Sequence, residues 1–291
     1  MPEISRAAGP SRSFVGQRDK ADDLDEQRRR LGVAQVEALF GSILIATATA
    51  SATSLFIAAG LISLGFVALG TGLAWVVYLH AFGICNLVLR RLYLRSRPVG
   101  DRWSAWAIGF TAINFAVGVG FGWAPVGLTT GSVEAELAVL LATLCTAAGA
   151  IPPFSPYLPA FLFFLLPTTV PFAVASFLSA DPLLHRLGPI SMPVFIGGMG
   201  GLGLRANGSF AQLVGLRIQA EELAADLERQ KDIAERANRA KSMFLAAASH
   251  DLRQPVHALG LFVGALRGVA MAPEGRRMLA QIEASITAMN G

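Results

Sequence analysis

A histidine followed at once by an aspartate, His250 and Asp251, is the pair in this sequence best suited to covalent chemistry. A neutral imidazole is a competent nucleophile near neutral pH, because its ordinary pKa is about 6.5. A carboxylate that takes the proton from one ring nitrogen leaves the other free to attack an electrophile such as phosphorus. On an exposed helix such a pair is ordinarily only a solvated face, so the surrounding residues decide its meaning. Here they are Phe244, Leu245, the small run Ala246, Ala247, Ala248 and Ser249, then Leu252, Arg253, Gln254 and Pro255. The small side chains let another domain approach the helix closely. Pro255 has no N–H to give to the carbonyl of Asp251, which predicts a local kink beside the nucleophile. His257 lies seven positions on, near the same helical face, and reads as an interface or supporting residue.

Those residues must be positioned by elements of two different kinds. The 291-residue chain is 53% hydrophobic and only 15% charged, with a mean hydropathy of +0.52. These values exclude an ordinary water-soluble fold for most of its length. Residues 1–37 are polar and read as a disordered cytoplasmic tail. Residues 38–204 read as a six-span transmembrane domain. No Asp, Glu, Lys or Arg occurs between Ala38 and Leu89, room for two helices of about 20 residues with a turn near Gly60 to Gly65. An arginine-rich loop follows at Arg90, Arg91, Arg95, Arg97 and Arg102. The third span is expected from Trp103 to Val126, then an acidic loop with Glu134 and Glu136, and the fourth from Leu137 to Ile151. Pro152, Pro153 and Pro156 break the chain, and the fifth runs from Tyr157 to Ala180. Asp181 to Arg186 reads as a loop, and Leu187 to Leu204 as a short, glycine-rich sixth span. Arg28 to Arg30, the Arg90 to Arg102 loop and Arg205 all fall on one side only if the number of spans is even.

Inside the apolar blocks, His80, Asn86 and Asn114 are the polar side chains most suited to line a ligand site or to bond helix to helix. Gly197 and Gly201 have the small-xxx-small spacing of close helix packing, and their place beside the next helix suggests a flexible joint. Cys85 and Cys145 both sit in apolar blocks, which supports neither a disulfide framework nor a metal cage. The net charge of +4 follows from topology and gives no reason to invoke nucleic acid.

Residues 205–242 read as a signalling helix, with Leu213, Leu216, Ala220, Leu223 and Leu227 stepping by three and four along a two-stranded coiled-coil seam. Residues 243–291 read as a helical hairpin. Its turn is Ala272-Pro273-Glu274-Gly275, and its second arm repeats apolar residues at Met278, Leu279, Ile282, Ile286 and Met289. The fold class is therefore all-α: a six-helix transmembrane bundle, a long coiled-coil helix and a hairpin that is half of a dimeric four-helix bundle.

The segment from Phe244 to Pro255 resembles the phosphoacceptor box of sensor histidine kinases, the membrane sensors of bacterial two-component systems. The resemblance covers roughly residues 240–291. It implies autophosphorylation of His250, with Asp251 as orienting base, and transfer to an aspartate on the receiver domain of a response regulator. It also implies a homodimer in the bacterial inner membrane, multi-pass, with both termini cytoplasmic. Gln254 stands where the family usually carries Thr or Asn to position a water for dephosphorylation, a departure that speaks against phosphatase activity. The family uses ATP and magnesium on a further domain, whose asparagine- and glycine-rich boxes do not occur in these 291 residues. The sequence thus reads as a truncated kinase that binds neither by itself.

Two rival readings remain at this stage. One is a small-molecule transporter or channel with an assembly helix, although no acidic pair for proton coupling lies in the spans. The other is a noncatalytic membrane scaffold with a decayed histidine box.

Overall fold

Glycine, proline and a few capping side chains divide the chain into helices. A computed structural model describes residues 12–96, 100–129, 132–270 and 272–290. The first 11 residues of the expected tail, Arg97, and Thr130 and Gly131 of the acidic loop lie outside them, as do the side chains of residues 12–24, Asp101, Met289 and Asn290. The described residues are helical almost throughout: α1 Arg12–Ser63, α2 Leu69–Arg95, α3 Trp103–Gly127, α4 Val133–Gly149, α5 Ile151–Phe154, α6 Leu158–Leu178, α7 Pro182–Leu266 and α8 Pro273–Asn290. Among them, six helical stretches are long and apolar enough to cross a membrane. Two compact units divide the chain, one up to Arg217 and one from Ile218.

In the first unit α3 is the central helix, and its closest neighbour is α6. Pro171 has no N–H to donate to the carbonyl of Pro167, one turn back in α6. That carbonyl faces Gly122 of α3 so closely that a Cβ on the glycine would lie 2.0 Å from it, while a Cβ on Gly118 would lie 2.7 Å from the carbonyl of Phe164. The close crossing therefore uses Gly118 and Gly122, a small-xxx-small pair in α3. It does not use the pair proposed at Gly197 and Gly201, where an added Cβ would meet nothing within 4 Å. Gly203 instead carries the ring of Phe161.

An aromatic ladder runs through the same unit. Phe40 stacks on Tyr93 with centroids 4.1 Å apart. Phe110 meets Phe154 edge-on at 5.3 Å, and Phe154 meets Phe164 at 5.2 Å. Trp75 Nε1 donates to the carbonyl of Gly120 at 2.7 Å and Tyr78 Oη to that of Ala116 at 2.9 Å, so both rings bury their polar atoms satisfied.

Several expected boundaries are corrected. Residues 12–37, expected to be disordered, belong to α1. Glu26 pairs with Arg29 at 2.8 Å and Arg30 at 3.0 Å, one turn along, and Val36, Leu39, Phe40 and Ile43 form a buried stripe. Gly32 lies under the ring of Trp103. Glu134 and Glu136 are not loop residues but stand in the first turn of α4, where Ser132 Oγ accepts from the Ala135 N–H at 3.3 Å. Pro152 and Pro153 open the short α5, positions where a missing N–H breaks no helical bond. The loop expected at Asp181 to Arg186 closes after Asp181, whose carboxylate accepts from the N–H groups of Leu183 and Leu184 and starts α7. The sixth span and the signalling helix are one element, since α7 continues through the glycines and Arg205. The α1–α2 turn is near its expected place, with Gly65 at φ +76°.

Contacts sort the ends of these helices by charge. Arg90 Nε donates to the carbonyl of Phe40 at 3.3 Å, Ser42 Oγ reaches that of Pro153 at 3.3 Å, and Asn207 Nδ2 donates to the carbonyls of Ser155 and Pro156, both at 2.9 Å. The Arg90 end of α2 thus meets α1 at Phe40, α1 meets α5 two residues on, and the turn after α5 meets the stretch of α7 just after Arg205. Asp181 acts electrostatically on Glu134 and Glu136, gathering acidic groups at the other end.

Candidate functional site

In the second unit, the later part of α7 and α8 form the expected hairpin. Its second arm starts at Pro273 rather than after the turn residues, because proline fits the first helical position. Among the described residues of this unit, Val263 on α7 and Ile286 on α8 are the buried apolar side chains. Arg267 closes the hairpin with a forked pair to Glu283, its Nε and an Nη donating to the two carboxylate oxygens at 2.5 and 2.6 Å. Those hydrogen bonds hold the Glu283 carboxyl below the usual carboxylate range and push the Arg267 guanidinium further up. The sequence reading missed this pair. Its signal is an arginine just before the turn and an acid 16 residues later, inside the apolar repeat of the returning arm.

His250 lies on the first arm, on the α7 helix, with its imidazole largely exposed. Asp251 is exposed beside it, and its Oδ1 lies 3.6 Å from His250 Nδ1. That distance is longer than a hydrogen bond and short enough for the rotation of one side chain to close. With the carboxylate on the Nδ1 side, Nε2 is the ring nitrogen left open to an electrophile. Gln254, one turn further along, and His257 are also exposed. Ser249 is exposed and Ala248 half-buried, so the approach to His250 from the preceding turn carries small side chains. The helix continues through Pro255.

Leucines 213, 216, 223 and 227 of the expected seam are exposed along α7. So are Leu252, Leu261, Phe262 and Met278 around the hairpin, where Leu259, Met278 and Ile282 border a shallow groove. In the first unit Asn86 and Asn114 come together as predicted polar residues, buried and exchanging amide hydrogen bonds at 3.3 Å, while Asn114 also donates to the carbonyl of Phe110 at 2.9 Å. His80 is not with them; its Nδ1 lies 2.8 Å from the carbonyl of Val76 in its own helix. No cluster of three or more His, Cys, Asp or Glu side chains suited to a metal occurs among the described residues.

Comparison with known proteins adds one likeness. A stretch of 64 residues is 42% identical to the sensor histidine kinase AruS of Pseudomonas aeruginosa, covering 22% of this chain and 6% of that protein. The chain therefore matches a small fraction of the length of that relative. No known family profile matches the chain, and no solved structure does. Part of the chain is thus similar to a sensor histidine kinase, and its apolar helices are those of a membrane protein.

Proposed function

We propose that this chain is the membrane sensor and phosphoacceptor portion of a two-component histidine kinase. The carrying observation is an open imidazole, His250, on the first arm of a helical hairpin, with a carboxylate 3.6 Å from one ring nitrogen and small side chains on the approach. ATP, bound with magnesium on a nucleotide-binding domain, would supply the phosphoryl group. Asp251 orients the ring and draws the Nδ1 proton toward itself. The Nε2 lone pair forms the bond to the γ-phosphorus as the bond to the bridging oxygen of ADP breaks. The phosphoryl group then passes from Nε2 to an aspartate of a receiver domain.

The exposed leucine stripe of α7 and the bare apolar residues around the hairpin support a parallel homodimer, in which two hairpins complete a four-helix bundle. The clustering of Arg90, Asn207 and the start of the apolar part of α1 at one end supports six spans with both termini in the cytoplasm. The test supplies the nucleotide-binding domain of a histidine kinase with radiolabelled ATP. Acid-labile, base-stable label is expected on the wild-type chain and none on His250→Gln. Equal labelling of the two would end this reading.

A further inference from the structure

The first unit holds a cavity of about 640 Å³ between α1, α2, α3 and α4, within the range that takes a small organic molecule. Its lining includes Ala46, Thr49, Thr53, Asn86, Asn114 and Thr146, and no lining residue is charged. The space exists because residues 46–54 of α1 alternate alanine with serine and threonine, so no large side chain fills it. Thr49 and Thr146 donate their hydroxyl protons to carbonyls of their own helices, leaving lone pairs toward the cavity. Asn86 is the less committed of the buried amides. One of its N–H groups goes to Asn114, and the other has no partner among the described hydrogen bonds, although the side chain is only 5% exposed. The mouth lies between α1 and α4, where Ile45, Thr49 and Cys145 are exposed on the surface of apolar helices.

We infer that this cavity binds an uncharged amphiphile taken from the bilayer, with an apolar chain lying along the α1–α4 opening and a neutral oxygen acceptor received by Asn86. A charged headgroup would be buried without a counter-charge, and a pure hydrocarbon would leave the Asn86 N–H unsatisfied. The wall of the cavity includes Pro153 and Phe154, immediately before the Ser155 and Pro156 carbonyls that hold Asn207 of α7. Occupancy thus bears on the helix that continues toward His250. Binding itself does not rest on the phosphoacceptor reading, and His250→Gln should bind like the wild type.

The full chain, as a Cys85→Ser variant in phosphatidylcholine vesicles, is treated with a membrane-permeant maleimide that alkylates Cys145. A ten-carbon methyl ketone is expected to slow alkylation, while the ten-carbon carboxylate and the plain ten-carbon alkane are not. A diazirine analogue of the ketone is expected to label residues of α1 and α4 at the cavity. Asn86→Leu should weaken protection about tenfold, the equivalent of one well-made hydrogen bond to a buried group. Ala50→Phe, which fills the cavity, should abolish it, and decides the matter if the asparagine variant does not fold. Equal protection by the alkane, protection by the carboxylate, label spread over all lipid-facing helices, or protection that survives Ala50→Phe would each overturn the inference.

Discussion

The two units are held together in different ways. In the first, backbone meets backbone at Gly118 and Gly122, aromatic rings interlock from Phe40 to Phe164, and Asn86 and Asn114 bond across helices. In the second, two helices share little more than Val263, Ile286 and the Arg267–Glu283 fork, with many leucines left bare. A lipid-embedded bundle gains nothing from hydrophobic exclusion between helices, so it depends on close fit. A water-exposed hairpin of this size has too small a core to stand on its own and depends on what its bare face meets. The first unit is therefore sensitive to added volume and the second to lost contacts and lost partners.

That contrast can be broken in four places. The largest effect is chemical: His250→Gln should abolish histidine phosphorylation while leaving stability within about 0.5 kcal/mol, since the ring is exposed and bonds to nothing that holds the hairpin. Radiolabel incorporation beside thermal unfolding in detergent separates the two. Next, Gly122→Val places a side chain against the Pro167 carbonyl and should cost on the order of 3 kcal/mol, the upper range for overpacking, seen as a lower melting temperature. Normal stability in that variant would mean that α3 and α6 do not cross so closely.

A smaller effect is set by pH. The Arg267 fork depresses the Glu283 pKa, so its contribution is full at neutral pH and above the ordinary carboxylate range, and is lost as pH falls through the lowered value. The hydrogen-exchange protection of residues 257–286 in the full chain, taken relative to the intrinsic rate at each pH, should fall on acidification below about pH 4, near the unperturbed carboxylate value. Glu283→Gln should show the lower protection already at pH 7, with no further acid dependence of that protection. The smallest effect belongs to Gly197→Leu with Gly201→Leu. Their side chains would enter open space, so stability should change by less than about 0.5 kcal/mol. A drop of several degrees in melting temperature would show that these glycines are packed after all.

The membrane helices were legible in the sequence because a run of about 20 apolar residues without a charge suits a bilayer and little else. Their ends were not. Residues 12–37 looked too polar to be ordered, yet the Glu26 pairs and the stripe from Val36 to Ile43 carry α1 back through them. Asp181 looked like a loop residue because a capping carboxylate and a loop carboxylate are the same letter. The His250–Asp251 pair could be singled out in the sequence because the small residues and Pro255 stand around it in one continuous segment. The α3–α6 crossing and the cavity were not, since each needs residues from distant helices. Even so, Gly118-x-x-x-Gly122 and the alanine–hydroxyl alternation of residues 46–54 were both present to be read.

Asn207 spans a gap that a proline created. Pro159 has no N–H to give to the carbonyl of Ser155, and the N–H of Ala160 goes to Tyr157, so the carbonyls of Ser155 and Pro156 find their donor in a side chain from α7. Such a fastening is easily undone and directional. A displacement of the turn by little more than one ångström would release both bonds at once, making this junction behave as a latch and not as a spring.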